Sequence, residues 1–116
     1  MTEVTEEGSV VSPKLVRVCG VDEIDSDSHM QVRVPDLGAL AVYHVDGRFY
    51  VTADSCTHMQ ASLGEEGALE GHVIQCSWHN GKFDIRTGAV LGPPCPAPLK
   101  TYRVCVEGES VFVEAD

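Results

Sequence analysis

Two short pairs of cysteine and histidine constrain the fold of this chain more than any other feature of it: Cys56-Thr57-His58 and Cys76-Ser77-Trp78-His79, with residues 59–75 between them. Each pair places a thiolate and an imidazole within one short turn, and four such donors can hold either a tetrahedral zinc ion or an iron-sulfur cluster. A structural zinc finger usually groups its cysteines in one pair and its histidines in another, the histidines commonly on a helix. Here each loop offers one Cys and one His. A fold that uses all four donors must hold two separate loops against each other.

The sequence around the pairs reads as strands, and the expected fold class is all-β. Valines alternate with polar residues in several stretches, a pattern that favours strands over helices. Residues 14–18 alternate as a short strand, residues 21–28 form an acidic connection, and residues 30–34 make a second strand ending at Pro35. The clearest hairpin is 39–45, Asp46-Gly47, 48–52, because Asp-Gly supplies the positive φ angles of a two-residue primed turn. It leads directly to Cys56. Residues 56–71, rich in Gly, Ser and Glu, predict an irregular loop before a strand at 72–75. Residues 82–85 and 89–91 predict a hairpin around Thr87-Gly88. Gly92-Pro-Pro-Cys-Pro-Ala-Pro98 predicts a stiff loop, since proline lacks the amide hydrogen and fixes φ. A last hairpin is expected from 101–106 and 111–114, with Tyr102, Val104, Val106, Val111 and Val113 facing one core.

With 116 residues the chain fits one domain, and a second catalytic domain is not expected. Residues 1–12 are acidic, Ser/Thr-rich and aperiodic, and are expected to form a flexible tail before a single domain at 13–116. The balance of 18 acidic to 8 basic side chains, a formal net charge of −10, makes nucleic acid and anionic membrane surfaces poor partners. It suits a basic protein surface, or simply solubility. Because the N-terminal residues lack the basic and apolar stretches of a secretory signal, a cytoplasmic location is expected. No stretch approaches the roughly 20 apolar residues of a membrane helix. Five cysteines, an odd number beside histidines, suggest metal before disulfides in a reducing compartment.

The one-Cys, one-His composition of each loop favours an iron-sulfur cluster over zinc. Two opposed loops can present two thiolates to one iron and two imidazoles to the other, the ligand division of a Rieske-type [2Fe-2S] centre. CTH followed by CSWHNGKFD, with the Gly/Pro-rich loop and the all-β frame, resembles the Rieske ferredoxins of bacterial aromatic ring-hydroxylating dioxygenase systems over about residues 14–114. The resemblance implies an antiparallel β-sandwich, barrel-like at its base, with an inserted cluster-binding subdomain at approximately 54–98. It implies that Cys56 and Cys76 bind the inner iron of one [2Fe-2S] cluster, and His58 and His79 the outer iron. It also implies a flavin-containing ferredoxin reductase as electron donor, a terminal oxygenase as acceptor, and a role in aromatic compound catabolism. The protein itself is then an electron carrier without catalytic residues, and is expected to act as a monomer.

Departures from the wider Rieske group carry their own expectations. High-potential members have a further cysteine in each ligand loop, where this chain has Ala61 and Trp78, so that disulfide is ruled out. They also place hydroxyl donors where Gly81 and Phe83 stand here. Without hydrogen bonds to sulfur the potential is expected in the lower part of the roughly −150 to +300 mV span of Rieske centres. His29, His44 and His72 lack a cysteine at ligand spacing and are read as surface or strand residues. Cys19 and Cys105 are read as apolar core fillers, and Cys95 as structural rather than a fifth ligand. Two alternatives remain: a small Rieske subunit of a nitrite reductase-like enzyme, and a zinc-stabilised interaction module.

Overall fold

Alternating apolar side chains form strands along most of the chain. The computed structural model describes residues 14–35, 37–55, 62–76, 81–92 and 97–115. Its strands are β1 (Lys14–Gly20), β2 (Ser28–Val34), β3 (Gly38–Val45), β4 (Arg48–Ala53), β5 (Ala68–Glu70), β6 (Val73–Gln75), β7 (Lys82–Asp84), β8 (Val90–Gly92), β9 (Thr101–Tyr102), β10 (Val104–Glu107) and β11 (Ser110–Ala115). A single α-turn, α1 (Leu63–Glu66), and a 3-10 turn at Val21–Glu23 complete the described elements. Three sheets result, ordered β1-β11-β10, β2-β3-β4-β9 and β5-β6-β7-β8, with antiparallel pairing. The all-β expectation is met. No helix among the described residues is long and apolar enough to cross a membrane.

The β3–β4 hairpin forms where the Asp-Gly pair places it. Asp46 (φ 53°) and Gly47 (φ 76°) make the primed turn, and Val45 faces Arg48 across it. β3 is apolar on both faces because it separates two cores. Leu40 and Val42 face the first, with Val18, Val51, Val111 and Val113; Ala41, Tyr43 and Val45 face the second, with Leu63, Ile74, Cys76, Phe83, Ile85 and Leu99. Successive strand side chains point to opposite faces, so one strand can seal both.

Four expectations need correction. The segment after the first Cys/His pair is not wholly irregular. Ser62 caps α1 by accepting the Glu65 amide, buried Leu63 anchors the turn, and β5 pairs with β6. Residues 101–106 are not one strand, because the chain changes sheets at Arg103: β9 pairs with β4, whereas β10 pairs with β11. Val106, expected in the core with Val111 and Val113, is 47% exposed because β10 is a sheet edge and its end lies on an open groove. Cys105 is only partly buried, whereas Cys19 is a core residue as expected. The tail at 1–12 and Cys95 lie outside the described residues.

Candidate metal centre

β4 delivers the chain to the first Cys/His pair and α1 leads it away. Cys56 and His58 lie outside the described residues, between stems that end at Ser55 and begin at Ser62. Ser55 and Ser62 form an antiparallel bridge, and the Leu63 amide donates to the Asp54 carbonyl at 2.8 Å. The chain therefore leaves the sheet at Ser55 and returns beside it at Ser62.

A polar network binds these stems to β2. The Asp54 carboxylate, 3% exposed, accepts the Gly64 amide on one oxygen and the Gln31 side-chain amide on the other, each at 2.8 Å. Gln31 Nε2 also donates to Ser62 Oγ at 3.3 Å, and His29 Nδ1 lies 2.9 Å from the Gly64 carbonyl oxygen. Gly64 is packed so closely on β2 that a Cβ would stand 2.6 Å from the Gln31 nitrogen. Nothing in the sequence pattern singles out Asp54, Gln31 or Gly64. Their only signal is an Asp two residues before a ligand-type Cys, a weak one among 18 acidic side chains.

Cys76, the first residue of the second pair, directly follows β6. Gln75 pairs with Lys82, and the Cys76 amide donates to the Gly81 carbonyl at 2.7 Å, so both ends of the segment are fixed. Cys76 is 1% exposed and belongs to the second core, as does Leu63 just after the first segment. The flanks of the two candidate segments thus pack on one core. Cys76 is the only one of the four proposed ligands among the described residues; His79, like Cys56 and His58, lies outside them. Phe83, which stands in place of a hydroxyl donor expected in high-potential Rieske members, is wholly buried in the same core.

The remaining histidines have other partners. His44 stacks on Phe49 with ring centroids 4.3 Å apart and places Nδ1 3.1 Å from the Ile24 carbonyl oxygen. His72 meets the Tyr50 ring edge-on. Among the described residues no three His, Cys, Asp or Glu side chains gather at metal-binding distance. A groove of about 840 Å³ lined by Arg48, Tyr50, Arg86 and Tyr102 includes the β3–β4 turn, at the end of β4 away from Cys56.

The donor set suits an iron-sulfur cluster. Cys76 offers a thiol sheltered from water, on backbone held by a hairpin stem, as a cluster-binding thiolate requires. Comparison with known proteins agrees. The profile of the Rieske [2Fe-2S] domain matches residues 14–103. The chain is 43% identical, over 98% of its length and 95% of the relative's, to the ferredoxin component of the p-cumate 2,3-dioxygenase system of Pseudomonas putida. The solved structure of the Sphingomonas yanoikuyae B1 ferredoxin superposes with a TM-score of 0.83 at 39% identity, covering 89% of this chain and 100% of that one. A ferredoxin seen in complex with the oxygenase of carbazole 1,9a-dioxygenase superposes at 0.79 and 38% identity, covering 86% and 92%.

Proposed function

The chain belongs to the Rieske [2Fe-2S] domain family, and from that premise we propose that it is the ferredoxin component of an aromatic ring-hydroxylating dioxygenase system. It receives single electrons from a flavin-containing reductase and delivers them to a terminal oxygenase. The observation that carries this reading is the 43% identity to a dioxygenase-system ferredoxin across nearly the whole of both chains. The bound [2Fe-2S] cluster supplies one-electron oxidation and reduction without proton or group transfer to a substrate.

The chain's own residues have three tasks. Cys56 and Cys76 hold the inner iron and His58 and His79 the outer one, so the histidine side is the expected point of electron exit. The second core, through Cys76 and Leu63, keeps water from the inner side of the site. We place the cluster-binding subdomain at about residues 54–98, with the remaining sheets as its base. The protein is a carrier and leaves oxidation of the aromatic compound to its partner. We place it in the cytoplasm as a monomer.

The test is direct. Anaerobically purified protein should contain two irons and two acid-labile sulfides per chain and, when reduced, give the electron spin resonance of mixed nitrogen and thiolate coordination. Mixed with an oxidised oxygenase of this class, it should reoxidise with one electron passed per chain. A colourless zinc protein, or a reduced protein that no such oxygenase reoxidises, would overturn the proposal.

A further inference from the structure

The four ligand positions leave Asp54 unexplained. It is a carboxylate shut away from water, and burying one costs stability unless its oxygens are satisfied by donors. Its two oxygens receive one N–H from each of two elements, Gln31 on β2 and Gly64 on α1. We propose that Asp54 is a positioning residue for the first ligand segment, tying both stems of that segment to β2 so that the base sheet sets where Cys56 and His58 are presented. The inference rests on the ferredoxin reading above and extends it to the residues that hold the ligands.

Three features argue for a tie directed at this segment. First, β2 is a firm anchor, since Ser28 to Val34 pair with β3 in unbroken register from Ser28–His44 to Val34–Gly38. Second, α1 has a single turn and cannot hold itself, because a helix that short is unstable without outside contacts. β2 supplies them: Gln31 Nε2 bonds both Asp54 and Ser62, and His29 Nδ1 meets the Gly64 carbonyl. Third, the absent side chain of Gly64 lets α1 approach until only a hydrogen fits against the Gln31 backbone. The entering stem at Asp54 and the leaving stem at 62–64 therefore share one support, outside the segment they enclose.

The chemistry distinguishes two substitutions at this position. In Asp54→Ala the Gly64 amide loses its acceptor and Gln31 Nε2 keeps only Ser62 Oγ. In Asp54→Asn the new carbonyl oxygen keeps the Gly64 amide, and the Gln31 amide can turn over to offer its oxygen to the new N–H₂. The tie therefore survives Asn and not Ala. Gln31→Leu keeps the bulk of the side chain but strips one Asp54 oxygen and Ser62 of their shared donor.

The experiment compares holoprotein of the wild type with Asp54→Ala, Asp54→Asn and Gln31→Leu. The measurements are the rate of visible bleaching in a metal chelator, the reduced-state spin resonance, and thermal unfolding by circular dichroism. Asp54→Ala should lose its cluster roughly tenfold faster than wild type and Gln31→Leu several-fold faster, both with shifted or broadened g-values, while Asp54→Asn stays within about twofold. Wild-type bleaching and spectra in both Asp54→Ala and Gln31→Leu would overturn the proposal. So would Asp54→Asn bleaching as fast as Asp54→Ala, or faster bleaching with unchanged spectra that merely tracks a lower melting temperature. Should Asp54→Ala fail to fold, Gln31→Leu and Asp54→Asn decide by the same measures. A wild-type chain without a cluster would defeat the functional reading itself, a failure visible before any variant is compared.

Discussion

Asp84 and Arg86 show how a single side-chain pair shapes titration at the start of the β7–β8 turn. Arg86 donates from Nε to one Asp84 oxygen at 3.1 Å and from Nη2 to the other at 2.9 Å. These hydrogen bonds outweigh partial burial and hold the Asp84 carboxyl below the ordinary carboxylate range. A depressed folded-state pKa contributes stability above the unfolded value, about 3.9 for Asp, and that contribution disappears as pH falls through the folded value. Arg86→Gln should therefore move the Asp84 titration upward, toward about 3.9, in a carboxyl NMR titration; an unmoved midpoint would show that the guanidinium is not the cause. At Cys105, burial is the main cause of a raised thiol pKa, assisted by Glu107, whose carboxylate oxygen lies 3.6 Å from the sulfur. That placement beside an acid on an edge strand explains why Cys105 departs from the core role expected of it.

Among the elements, the β7–β8 turn holds the chain again at Leu99, after β8. Gly88 has φ +80°, donates its amide to the Asp84 carbonyl at 2.7 Å, and accepts the Leu99 amide at 2.9 Å. A Cβ on Gly88 would collide with the Leu99 carbonyl oxygen, so the residue is confined to glycine by conformation and by space together. Gly88→Ala should cost roughly 2 kcal/mol or more in urea unfolding, from left-handed strain plus overpacking. A loss of a few tenths would mean that Leu99 simply moves aside. The switch of sheets at Arg103 belongs to the same scale. Its alternating pattern continues from Tyr102 to Val106, and period two says nothing about which neighbour a strand pairs with.

Across the whole molecule, two cores divide the labour. Among the described residues, the core beneath β1 and β11 contains no proposed ligand, whereas the other contains Cys76. Removing iron and sulfide should therefore loosen the molecule unevenly. Hydrogen exchange should quicken at the amides of β6, β7 and α1, including Cys76 and Gly64, and stay near holoprotein rates in β1 and β11. Uniform acceleration would mean that the cluster stabilises a single cooperative unit. The uneven result separates this site from a zinc finger, in which the metal supplies most of the folding energy of a small domain.

The metal chemistry and the strand-rich frame were legible in the chain itself, because both are written in local pattern. Ligand types lie within one turn, apolar residues alternate with period two, and Asp46-Gly47 specifies a primed turn wherever it occurs. Tertiary structure alone decided that β3 is sealed on both faces, that 101–107 serves two sheets, and that Val106 and Cys105 stay outside the core. It alone united Asp54, Gln31 and Gly64. A carboxylate shows its role only when donors from distant elements meet its two oxygens away from water, and such meetings, separated by tens of residues, leave no periodic trace along the chain.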